Sequence, residues 1–180
     1  LMLATGGHPS GLRLAEELGH RVVPPVPSLF SLTLHDKILS ACSGIAIDDV
    51  GLDLKLGDQR FRQTGRVLIT HRGLSGPAML RLSAFAARAL HHSHYKGVLR
   101  VDWSAGLGRA GVERRLQQWR QDQPSRTLSA SRPFGHLPRR LWHALLAMTG
   151  LEAERRWAEL PLKAERRLVE ILCAQHLEVK

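Results

Sequence analysis

The 180-residue chain, with 43% hydrophobic and 23% charged residues, has the composition of one large or two small globular domains and lies outside the range of disordered chains. Its 26 Lys and Arg against 16 Asp and Glu give a net charge of +10, which admits a polyanionic partner; but 12 basic and 8 acidic residues fall before Arg109 and 14 and 8 from there on, so no basic stripe stands out, an Arg-rich surface is the simpler reading and nucleic acid is expected to be an unlikely partner. No apolar run reaches the roughly 20 residues that cross a bilayer, and Cys42 and Cys173 lack CxxC partners, which argues against a zinc or disulfide framework and makes a reducing cytoplasm the expected location.

In chain order, Leu1–Ala4 reads as the end of a buried strand broken by Gly6 and Gly7, and Ser10 caps a helix to Leu18 with Leu14, Ala15 and Leu18 inward. Residues 21–34 hold Pro24, Pro25 and Pro27, so this stretch is extended but barred from the middle of a sheet. It reads as a linker into a second domain. From Ile45 to Thr70 apolar residues alternate, as in Leu52, Leu54 and Leu56, with turns at Gly57-Asp58 and at Gly65, the pattern of antiparallel sheet. Ser75–Leu90 is helical in habit and Val98–Trp103 returns to strand. Beyond Gly108 the strand signals end, and helical spacings follow around Leu116, Leu145 and Leu168, separated by a Ser-, Pro- and Gly-rich surface loop at 123–136.

Three constellations invite a chemical reading. Gly106-Leu107-Gly108-Arg109-Ala110-Gly111 is formally G-x-G-x-x-G, but the acid that holds a ribose about 20 residues on is missing from Arg126–Ser131, so it reads as a glycine-rich loop. His91, His92 and His94 lack carboxylate or cysteine support and sit at a helix C-terminus, so no metal site is expected. The segment Thr70-His71-Arg72-Gly73-Leu74-Ser75-Gly76-Pro77 is the best local candidate. A strand ends there, glycines allow close backbone approach, and Pro77 opens a helix whose free N–H groups attract anions.

Taken together, Leu3–Gly7 ("ATGG"), Leu14–His20 ("lAxxlGH"), Pro27–Leu29 ("PSL") and Thr70–Ala78 ("THxGlSGPA") resemble the BaiN/YhiN-type family of NAD(P)/FAD-dependent flavoproteins, with aminoacetone-oxidase-like members. The resemblance implies an α+β fold: a remnant of the FAD-binding domain at 1–22, a small antiparallel β-barrel-like insert domain at 23–108 and a helical subdomain at 109–180. It implies a middle segment of a flavin-dependent oxidoreductase, inactive by itself. Flanking flavin-binding segments of the same protein would be its partners, beside a small-molecule substrate and no membrane. Thr5, Gly6 and Gly7 would line FAD. Thr70, His71, Gly73, Ser75, Gly76 and Pro77 would form the substrate-side loop, with His71 as catalytic candidate and NAD(P)H as a possible reductant. A different class of reading, a basic module for nucleic acid or a protein partner, is the alternative. Ser31 replaces the second proline of the family's "PSLvPL", and His8–Gly11 is shorter than its counterpart.

Overall fold

The computed structural model describes residues 2–34 and 36–179. Leu1, at the start of the expected first strand, and Lys180, at the end of the expected helical part, lie outside them. Helix α1 (Pro9–Glu17) is capped by His8, whose Nδ1 accepts from Ser10 N at 3.3 Å. The strand expected before it is absent from residues 2–5. Leu14 and Leu18, expected inward, are 43% and 56% exposed. The correction is physical: α1 packs extensively against no other described element, so its apolar side has nothing to bury against.

The barrel follows: β1 (Leu32–Thr33), a short helix α2 (Lys37–Ser40), β2 (Ala46–Leu56), β3 (Gln59–Thr70), β4 (Gly73–Ser75), the long helix α3 (Pro77–His92) and β5 (Gly97–Asp102). In β2 Val50, Leu52, Leu54 and Leu56 are buried with the period of two of a strand, and Ile47 is buried on the far side of a bulge at residues 48–49. Gly57, at φ 57°, opens the two-residue turn into β3. Gly65, by contrast, is no turn. It lies inside β3 opposite Val50, across a bulge where Asp49 takes φ 55°. Its φ of 145° is what favours glycine there; a Cβ would meet only the guanidinium end of Arg81 at 3.0 Å and Ala78 at an ordinary 3.6 Å.

Helices α4 (Gly108–Asp122), α5 (Arg139–Ala147) and α6 (Leu162–Ala174) come next, with a 3-10 turn at Trp157–Glu159. The expectation that strand signals end at Gly108 misses β6 (Gln175–Val179). Its alternation of buried Gln175, Leu177 and Val179 with exposed His176 and Glu178 adjoins the apolar stripe of α6, so in sequence it reads as more helix. The strand order is β1-β4-β3-β2-β5-β6, every pair antiparallel. A bridge from Leu34 to Val179 brings the two edges together, which makes the sheet a nearly closed barrel and the fold α+β.

Barrel and helices share one core, running from Leu54 and Leu82 through Trp103 to Leu145 and Leu172. Segment 123–136, expected as a surface loop, is irregular but anchored, with Leu128, Ser131 and Phe134 buried. Buried indoles need acceptors, and this segment supplies two. Trp142 Nε1 donates to Leu128 O at 2.9 Å, and Trp157 Nε1 donates to Ser131 Oγ at 2.7 Å.

Arg120 ties α4 to α6: its guanidinium meets the largely buried Glu165 at 3.0 Å and donates to Leu160 O at 2.6 Å. Replacing Arg120 by Met leaves that carboxylate without its cation, so Arg120→Met is expected to lower stability by about 3 kcal/mol, read as a shift in the urea unfolding midpoint.

Candidate functional site

Most residues of the Thr70–Pro77 segment have a structural task. Thr70 closes β3, and its Oγ1 accepts from Arg72 N at 3.3 Å and Gly73 N at 3.1 Å while donating to Gly73 O at 3.1 Å. That uses the hydroxyl inside the turn. His71 and Arg72 form the exposed tip, and Arg72 O accepts from Leu34 N at 2.8 Å. Ser75 Oγ accepts from Ser31 Oγ at 2.7 Å, across the β1–β4 edge. Pro77 stands in the first turn of α3, where its missing N–H costs nothing.

The two glycines serve the backbone. A Cβ on Gly73, at φ 154°, would overlap Leu32 O of β1; one on Gly76, at φ 95°, would lie 2.9 Å from Leu68 N of β3. The close approach inferred from sequence is thus an approach between strands. What the segment offers to solvent is the His71 imidazole on a hydrogen-bonded strand end.

Thr5, Gly6 and Gly7 are exposed, with Gly6 at φ 58° and open space around both glycines. Thr5 packs on Gly11 of α1, and the hydrogen bonds of residues 2–20 are all local. No hydrogen bond joins this stretch to the Thr70–Pro77 turn among the described residues. Nor do the described residues form a pyrophosphate-binding turn: all paired strands are antiparallel, whereas such a site needs a helix N-terminus after a strand in a parallel sheet. The Gly106–Gly111 pattern follows β5, which is antiparallel to both neighbours, and so is not a dinucleotide loop. No group of three His, Cys, Asp or Glu side chains with metal-binding geometry occurs among the described residues, and no helix among them is long and apolar enough to cross a membrane.

One constellation escaped the sequence reading. Asp53, an acid at an outward position of β2, is 5% exposed because Arg60, Arg62 and Arg100 fold over it at 3.7, 3.1 and 3.4 Å. Register places Arg62 and Arg100 directly opposite it, so only cross-strand pairing reveals the cluster. One carboxylate holding three guanidiniums knits β3, β2 and β5 together on the outside of the barrel.

Neither cysteine is an activated thiol. Burial pushes Cys42 up, and burial, followed by the charge of Asp102, pushes Cys173 up to about 11.

Residues 26–180 match the family model described as HI0933-like protein barrel and H2TH domain. Two curated relatives carry the same name, "Ribosomal RNA dihydrouridine synthase". The Haemophilus influenzae protein is 39% identical over 47% of this chain and 23% of its own length. The Escherichia coli K12 protein is 30% identical over 78% of this chain and 34% of its own length. The chain thus spans about a quarter to a third of the curated relatives it matches.

Two outcomes follow from the site. Gly73→Ala is expected to destabilise the fold by about 2 kcal/mol or more, from the strained φ and the overlap with β1, read in denaturant unfolding. Because both thiol pKa values are raised, the thiolate is scarce at mildly alkaline pH, and iodoacetamide is expected to label both cysteines more slowly in the native chain than in urea.

Proposed function

Because the chain belongs to the HI0933-like flavoprotein family, whose barrel and H2TH domain it carries, we propose that it is the substrate-side module of an enzyme that makes dihydrouridine in ribosomal RNA. The observation that carries this reading is the family match over residues 26–180, joined to two relatives that bear one and the same activity in their names. Dihydrouridine is uridine with two hydrogens added across its C5–C6 double bond, a hydride and a proton. A reduced flavin supplies such a hydride, and NAD(P)H is the proposed source of its electrons.

In this reading FAD is held by parts of the parent protein that this chain does not span, and the chain taken alone is inactive. Its own residues present the substrate. Modifying a base requires taking it out of its stack, and a rigid, nearly closed barrel fused to a helical layer through one core can hold the flanking RNA while a uridine is turned outward. Thr5, Gly6 and Gly7 are proposed to edge the flavin, since their open, exposed backbone is free to face a planar group. The Thr70–Pro77 turn is proposed to face the uridine, with the exposed His71 as the group best suited to hold or deliver a proton. In place of the small-molecule substrate expected from sequence, with nucleic acid held unlikely, the proposed substrate is a single nucleotide of an RNA.

The reading is tested in the source organism by deleting the gene that encodes this chain and mapping dihydrouridine across ribosomal RNA. Loss of the modification at a discrete site is the expected result, and an unchanged map rejects the proposal. The purified chain is expected to be colourless; stoichiometric bound FAD would overturn the assignment of the flavin site to other parts of the parent.

A further inference from the structure

The charge surplus is concentrated where counting by halves hides it. Between Gly108 and Arg140 stand eight arginines and only two acids, Glu113 and Asp122, a surplus of six in a chain whose total is +10. From Leu141 to Lys180 six basic and six acidic residues cancel. On the outer barrel face the bases Lys55, Arg60, Arg62, Arg66 and Arg100 sit among the acids Asp48, Asp49, Asp53 and Asp102, a surplus of one. Six of the ten surplus positive charges therefore lie on α4, the 123–138 segment and the start of α5.

That region holds a groove of about 520 Å³ between α4 and the irregular segment, lined by Gly111, Arg114, Arg115, Gln118, Gly135 and His136 among others. No acid lines it. Arg115 Nε donates to Pro133 O at 2.8 Å and His136 Nε2 donates to the carbonyl of Trp103 at 2.8 Å, so two walls are hydrogen-bonded in place. Arg114, Arg132 and Arg139 are exposed and have no hydrogen-bonded or ion-paired partner among the described residues. The other arginines of the stretch are engaged: Arg109 with Glu113 at 3.6 Å, Arg120 with Glu165, Arg126 with Ala130 O and Arg140 with Ser43 O. Phe134, the aromatic side chain of the lining, is 4% exposed and packs against Trp142 and His136, leaving no face for a base to stack on.

We propose that this groove seats the phosphate backbone of the RNA substrate, with Arg114 in its wall and the exposed Arg132 and Arg139, which stand on either side of the lining residues Pro133–His136 in the chain, as the phosphate-contacting residues. A lining rich in donors and free of carboxylates fits an acceptor-rich, negatively charged chain and carries little to read base identity, so it supplies affinity and register while the choice of uridine is made elsewhere. The proposal rests on the reading of the chain as part of an RNA-modifying enzyme.

The experiment measures fluorescence anisotropy of a labelled RNA hairpin with unpaired uridines, titrated with the 180-residue chain at several salt concentrations. Three phosphate contacts to unpaired strand predict that the combined variant Arg114→Ala, Arg132→Ala and Arg139→Ala lowers the log Kd against log salt slope by about 2 and raises Kd about tenfold or more. The control Lys55→Ala, Arg60→Ala and Arg66→Ala removes the same charge from the barrel face and is expected to weaken binding much less. All six side chains are exposed, and circular dichroism checks that both variants fold. Equal loss in the control, or tighter binding of the matching DNA hairpin, overturns the proposal. RNA binding that the groove variant leaves unchanged removes the groove alone, whereas an unmodified chain that binds no RNA removes both the groove and the RNA reading.

Discussion

The pairing of β5 with β6 is the constraint on which the rest of the molecule depends. These strands are neighbours in the sheet, yet the whole of α4, α5 and α6 lies between them in sequence. Without β6, β5 would be an open edge with unsatisfied backbone groups, and Val179 would not reach Leu34 to bring the sheet round. The helical layer is therefore an excursion whose two ends must return to one place. Trp103 secures that place from both sides: its N–H bonds to Leu172 O at 2.8 Å, and its indole to Gln175 Oε1 at 2.7 Å. Both groups are buried, where a hydrogen bond lost would be costly to leave unmade.

From that closure follows the single core. A helical excursion pinned at both ends has to lay its apolar faces on the barrel and on itself, and the buried residues of α4, α5 and α6 run without a gap into those of the strands. The irregular segment between α4 and α5 is shaped by the same demand. Two indole N–H groups arrive with α5 and the Trp157 turn, and the segment folds so that Leu128 O and Ser131 Oγ meet them. A stretch rich in Ser, Pro and Gly thereby becomes the fixed wall of a groove, with Arg115 and His136 bonded across it.

The same logic separates structural from functional polarity. Asp53 and Glu165 are buried acids, each held by arginine, and Thr70 and Ser75 spend their hydroxyls within the strand edges. These polar groups maintain the fold. What remains uncommitted is the exposed His71 at one strand end, the open backbone of Gly6 and Gly7, and the unpaired Arg114 of the groove wall with Arg132 and Arg139 near it in the chain, and the proposed function uses those.

Much of the architecture was legible in the sequence because it depends on local pattern. The alternation of Leu52, Leu54 and Leu56, the Gly57 turn and the helix opening at Pro77 each follow from short-range stereochemistry, and the ordered motifs from Leu3 to Ala78 identified the family. Tertiary structure decided what short-range pattern leaves open. Gly65 is read as a turn until β2 is seen to pair across it; β6 is read as helix until β5 lies beside it; Gly73 and Gly76 are read as ligand-facing until β1 and β3 occupy that space. Asp53 and its three arginines meet only through register, and the surplus of positive charge became a surface only when the acids elsewhere were seen to balance their neighbours. The physical reason is the same in each case: propensity and periodicity act over a few residues, whereas pairing, close approach and charge compensation join residues far apart in the chain.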